Sequence, residues 1–127
     1  MRQLGLSLIS SLVLGVSLVG CGKDQVQTGL TFNDVQPILD AHCAECHNQG
    51  TDISGKTGFV VNSYHEVMQG THNGPVVVSG SAVSSSLYRL VAGNVDPSIR
   101  MPLGKEPLPD SDIETIKLWI DQGARES

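Results

Sequence analysis

The chain has 127 residues, with eight Lys and Arg against thirteen Asp and Glu and a net charge of −5. An acidic balance with no basic stripe argues against a nucleic-acid partner. Once a leader of 20 residues is set aside the length fits a single domain, and the 39 apolar residues among the remaining 107 give it only a modest core.

Residues Met1–Val19 carry one charge, Arg2, followed by a run of Leu, Ile, Val, Ser and Gly. A basic start, a short apolar stretch and small residues at its end describe an export signal. The competing reading is a membrane-spanning helix. However, Leu4–Val19 is broken by Ser7, Ser10, Ser11, Gly15 and Ser17 and falls short of the roughly 20 apolar residues a span needs. Leu18-Val19-Gly20-Cys21 resembles the lipobox of bacterial lipoproteins. That resemblance implies cleavage before Cys21 and acylation of Cys21, and two or more acyl chains anchor stably. Gly22, where an inner-membrane lipoprotein commonly has Asp, directs the expectation to the outer membrane, facing the periplasm or the cell surface. The predicted organisation is a signal peptide at 1–20, a lipidated tether at 21–30 and one domain at 31–125.

Asp34–Cys46 places Val35, Ile38, Leu39 and Ala41 at helical spacing. Because Pro37 suits only the start of a helix, this one is expected to begin around 34–36. It runs into Cys43-Ala44-Glu45-Cys46-His47. Two thiols three positions apart, followed at once by an imidazole, form the attachment signature of a c-type haem. The thiols make thioethers to the porphyrin edge, and His47 supplies the proximal iron ligand. A redox CxxC or a zinc half-site are the competing readings. A structural zinc site wants four ligands, and no second Cys pair exists. A thioredoxin-like motif wants a βαβ context, whereas the residues after His47 are polar. With Cys21 assigned to lipid, Cys43 and Cys46 have no other thiol to pair with.

Residues 47–56 read as a loop. A short helix is expected over 62–69 with Ser63 as its cap, and 70–80 as an extended loop over the haem face. A further helix is expected over 84–92, ended by Gly93. Pro97, Pro102, Pro107 and Pro109 forbid a continuous helix through 93–110. Ser111-Asp112-Ile113-Glu114 reads as a capping box, opening a helix whose stripe is Ile113, Ile116, Trp119 and Ile120 and which Gly123 stops. Trp119 is expected to pack against the first helix.

The distal iron ligand has several candidates. Met101 sits in an irregular Pro-rich segment that can hold a thioether against iron. His72, in a Gly-rich loop, is the alternative. Met68 reads as core, and His42 and His65 as solvated helix residues. Arg100 and Tyr88 are candidate contacts for a haem propionate.

Val35-Gln36-Pro37-Ile38-Leu39, the CAECH motif, Ser86-Leu87-Tyr88-Arg89-Leu90-Val91, Arg100-Met101-Pro102-Leu103-Gly104 and Trp119-Ile120-Asp121-Gln122-Gly123-Ala124 together resemble the small planctomycete-type monohaem cytochrome c domain, itself similar to class I cytochrome c. The resemblance covers roughly Thr31–Ala124. It implies an all-α fold wrapped around one covalent haem c, the terminal helices crossing, and His47 and Met101 as axial ligands. The expected function is a membrane-anchored, non-enzymatic electron carrier outside the cytoplasm, whose redox partners present a basic docking patch. The alternatives are a haem sensor or ligand-binding domain with a displaceable sixth ligand, or a docking module of a larger redox enzyme.

Overall fold

A computed structural model of the chain describes residues 29–127. The predicted signal peptide, Cys21 and nearly all of the tether lie outside the described residues. Among those residues the secondary structure is helical with no strand, the expected all-α class. The helices are α1 (Phe32–His42), α2 (Ala44–His47), α3 (Asp52–Thr57), α4 (Tyr64–Gln69), α5 (Ser86–Val91) and α6 (Asp110–Asp121).

Helix α1 begins earlier than Pro37 led us to expect, and Pro37 lies inside it. The first turn is fixed from outside the helix. The Thr31 amide donates to Asp34 Oδ2 at 2.8 Å, and the Phe32 amide donates to the Arg125 carbonyl at 2.9 Å. Phe32 is itself buried, its ring 5.8 Å from Trp119 and edge-on to Tyr64 at 5.6 Å. Pro37 removes one intrahelical donor, but its ring is exposed, so the remaining anchors carry the helix through it.

Phe32, Val35 and Leu39 face inward from α1, and Ile116, Trp119 and Ile120 face them from α6. Burial of each such side chain contributes about 1.5–3 kcal/mol. Trp119 is fully buried and its Nε1 donates to the Arg125 carbonyl at 2.8 Å, so it packs beside α1 as expected. Val61, Val67, Val76, Val77, Leu87 and Val91 are among the other buried side chains of the same core.

Four further segments depart from the expectation. The stretch read as a loop over 47–56 contains α3, because Thr51 Oγ1 accepts from the Ser54 amide at 3.1 Å and Gly58 closes the helix with φ +77°. Residues 70–80 are irregular as expected, but they do not lie over the cleft described below. Val76 and Val77 are buried in the core, held by Leu87 N on the Val76 carbonyl at 3.0 Å and by Val78 N on Ser85 Oγ at 2.8 Å. The capping box at 111–114 is not used. Helix α6 starts at Asp110 behind Pro109, with Ser111 already inside it, and Asp110 and Asp112 sit in its first turn, where carboxylates complement the helix dipole. The helix expected over 84–92 is a 3₁₀ turn (Ala82–Ser84) followed by α5.

Candidate haem-attachment site

Helix α2 is a single turn, and that turn explains the spacing of the motif. His47 N donates to the Cys43 carbonyl at 2.9 Å and Cys46 N to the same carbonyl at 3.1 Å. Positions three and four apart on a helix share a face. Cys43, Cys46 and His47 therefore address one side, while Glu45 between them remains exposed. Both cysteines are free thiols.

Two features of the surroundings bear on the competing thiol readings. Burial, with a smaller contribution from Cys46, pushes the Cys43 thiol up to about 11. A catalytic redox cysteine needs the opposite shift. Among the described residues no group of three or more His, Cys, Asp or Glu side chains is arranged to hold a metal ion by itself, so the pair lacks the further ligands of a zinc site.

His47 is prepared as a neutral imidazole. Burial holds its pKa below the ordinary value, with the Phe59 carbonyl pulling the other way. Nδ1 is 3.4 Å from that carbonyl, which can only accept, so Nδ1 carries the proton and the Nε2 lone pair is left for a metal. The Phe59 ring stands edge-on to the imidazole at 5.2 Å, and the Val61 amide donates to the His47 carbonyl at 2.9 Å. Thr51 Oγ1 donates to the Cys46 carbonyl, joining α2 to α3.

Cys43, Cys46 and His47 line one cleft together with Ile53, Met101 and Leu103. Met101 comes from the irregular segment after α5, where its amide is held by the Leu90 carbonyl at 3.1 Å. The structure thus brings Met101 to the motif. His72 does not line the cleft. Its Nε2 is 3.3 Å from the Gly55 carbonyl, and its ring lies so near Gly58 that a Cβ there would come within 2.7 Å of Nδ1. Met68 packs against the core and His65 is exposed, both as read from the sequence. His42, expected to be solvated, is instead half-buried at the cleft, 3.2 Å from Asp112 Oδ2.

Arg100 and Tyr88 part company. Tyr88 packs against the core from α5. Arg100 Nε is buried and has no hydrogen-bond partner among the described residues. The guanidinium lies against Gly93, whose φ is +73° and where a Cβ would sit 3.1 Å from Nε. A buried charged donor without an acceptor is costly, and a carboxylate is the partner it calls for.

The residues present fit a haem. Two thiols, a neutral imidazole and a thioether converge on one cleft. At its mouth Ile53 and Leu103 are 40% and 62% exposed, large apolar side chains that a porphyrin would cover. Cys43 and Cys46 would hold its edge, His47 would face the iron, and Arg100 carries the orphaned donor beside Met101.

The planctomycete cytochrome C family model matches residues 43–102. The match opens on the first motif cysteine and closes on the proline after Met101, so it spans both candidate axial ligands. The match supports a cytochrome c-type domain, and such a domain implies haem c. No curated protein and no solved structure matches the chain. Among the described residues no helix is long and apolar enough to cross a membrane.

Proposed function

We propose that this domain carries single electrons between redox proteins outside the cytoplasm, with one haem c held between His47 and Met101. The observation that carries the reading is the convergence of Cys43, Cys46, His47 and Met101 on one cleft. When bound, the haem supplies one-electron iron chemistry at a potential that a thioether ligand raises. The protein's part is positional. Phe59 orients His47 through Nδ1, Leu90 fixes the backbone of Met101, and Arg100 offers its unpaired donor to a propionate. Tyr88, packed against the core, is the weaker of the two propionate candidates. A haem held by both His47 and Met101 would have no open position for substrate, which favours a carrier over an enzyme or a gas sensor.

The deciding experiment is the absorption spectrum of the haem-loaded ferric protein. A long-wavelength charge-transfer band of a thioether-ligated iron, lost in Met101→Ala, supports the reading. Rapid CO binding by the untreated ferrous protein overturns it.

The chain's leader extends this reading to the membrane. Cys21, lipidated after cleavage, tethers the domain to a bacterial membrane, the outer one by the absence of Asp at position 22. Cys21→Ser should release the protein from membranes, and unchanged association would count against the anchor. Residues 21–127 carry seven basic and thirteen acidic side chains, a surface suited to partners with a basic docking patch. Electron exchange with such a partner should slow as salt rises.

A further inference from the structure

We propose that Glu45 and Lys105 form a strap that holds the Met101 loop across the mouth of the cleft, making both of them positioning residues for the distal thioether. The proposal rests on Met101 being that ligand. Glu45 lies between the two motif cysteines and Lys105 lies four residues after Met101. Both side chains line the cleft that contains His47 and Met101, and Lys105 Nζ meets Glu45 Oε2 across 60 residues of chain.

The loop needs such a fastening. Its start is held by Met101 N on the Leu90 carbonyl, and its next buried anchor is Leu108. Residues 103–107 between them are exposed. Lys105 N turns back only to the Pro102 carbonyl, at 3.3 Å. The polar link from this stretch to another element is the Lys105–Glu45 pair, whose hydrogen bond holds the Lys105 ammonium above its ordinary pKa. Because Glu45 is built into the one-turn helix that carries His47, the strap ties the distal loop to the proximal motif. Met101 thereby gains a second constraint, on the side of the loop that Leu90 does not reach. The side chains are 46% and 74% exposed, so the strap is open to screening by salt.

The test uses the haem-loaded protein in five forms: wild type, Glu45→Gln, Lys105→Met, the double variant, and the swapped pair E45K/K105E. Lys117→Met, which breaks an exposed pair on α6, serves as a control. Two quantities are read, the rate of CO binding to the ferrous protein and the hydrogen exchange of the Met101 and Lys105 amides, the two in this stretch that are hydrogen-bonded. Each single variant should raise the CO rate about two- to fivefold at low salt and speed the exchange of both amides. The double variant should be no worse than either single one, the swap should restore wild-type behaviour, and about 1 M salt should bring the wild type to the level of the variants. Lys117→Met should change neither quantity. Unchanged CO binding and exchange in both single variants, or a double effect equal to the sum of the single ones, overturns the strap. If Met101→Ala leaves CO binding at the wild-type rate, it is the assignment of Met101 that fails, and the amide exchange then decides the strap by itself.

Discussion

His42 Nε2 lies 3.2 Å from Asp112 Oδ2, joining the last turn of α1 to the first turn of α6 immediately before the haem-attachment motif. At the opposite end of the same pair of helices, Leu30 N donates to Gln122 Oε1 at 2.7 Å and Phe32 N to the Arg125 carbonyl at 2.9 Å. The two helices are thus fastened at both ends around Phe32, Leu39, Ile116 and Trp119, and the chain enters α2 from a fixed point.

Asp112→Asn should lower stability by less than about 1 kcal/mol, because both partners are only half-buried and such pairs are weak. A urea titration should show a lower midpoint with an unchanged slope. A changed slope would mean that the variant alters the compactness of one of the two states.

Trp119→Ala should cost about 3–5 kcal/mol, since it empties the largest fully buried site of the core. Trp119→Phe should cost clearly less. It keeps an aromatic ring against Phe32, and loses part of the indole volume and the 2.8 Å bond from Nε1 to the Arg125 carbonyl. Chemical denaturation of both variants checks the order. Equal losses would show that the hydrogen bond, and not the packing, dominates at this position.

The parts of the molecule that were legible in the sequence are those set by local rules. The CAECH spacing is one helical turn, and the stripe Ile113–Ile116–Trp119–Ile120 is a helix period. Ser63 caps α4 through the Glu66 amide at 3.3 Å. The misjudged parts depend on partners far along the chain. The start of α1 is held by Arg125, and Val76 is held by Leu87, neither of which a local window contains. Helix α3 was hidden by its composition, Asp-Ile-Ser-Gly-Lys-Thr, which has weak helix propensity and relies on a cap at each end. At the site, the four cleft residues could be read one by one. The Phe59 carbonyl behind His47 could not, because any residue can supply a carbonyl and the sequence gives no signal for it. The His42–Asp112 and Glu45–Lys105 pairs were equally hidden, each joining elements 60 or more residues apart.

Arg100→Gln should lower the reduction potential of the haem-loaded protein. Removing a positive charge near the iron favours the ferric state, which carries the greater positive charge. Gly93→Ala should act in the same direction, since its Cβ would press on the Arg100 guanidinium, and it should also cost stability, because φ is +73° there. Potentiometric titration checks both variants. An unchanged potential in Arg100→Gln would remove Arg100 from the haem environment.

Asp121 sets part of the acid limb of stability. A hydrogen bond from the Ala82 amide, and then one from Lys117, hold its carboxyl below its ordinary value of 3.8. Its folded-state pKa is therefore lower than its unfolded one. The stabilisation is fully present above the unfolded value and is lost as pH falls through the folded one. Asp121→Asn should make the decline in stability below about pH 4 shallower, and the offset from wild type should be constant above that region. Urea midpoints measured across the acid range check the shape, and parallel acid limbs would contradict it.

His72 and Met101 should separate cleanly in the haem-loaded protein. His72 is bound to the α3 region by its backbone amide on the Thr57 carbonyl at 2.9 Å and by Nε2 near Gly55. Reaching the cleft would mean breaking both contacts and withdrawing the ring from Gly58, whose lack of a side chain provides its seat. Met101 already lines the cleft and needs no such movement. His72→Ala should therefore leave the ferric spectrum and the CO rate of the ferrous protein unchanged, at a small cost in stability. Met101→Ala should abolish the thioether band and open the iron to CO. A spectrum that shifts in His72→Ala and not in Met101→Ala would place the imidazole on the iron and require α3 to rearrange when haem is attached.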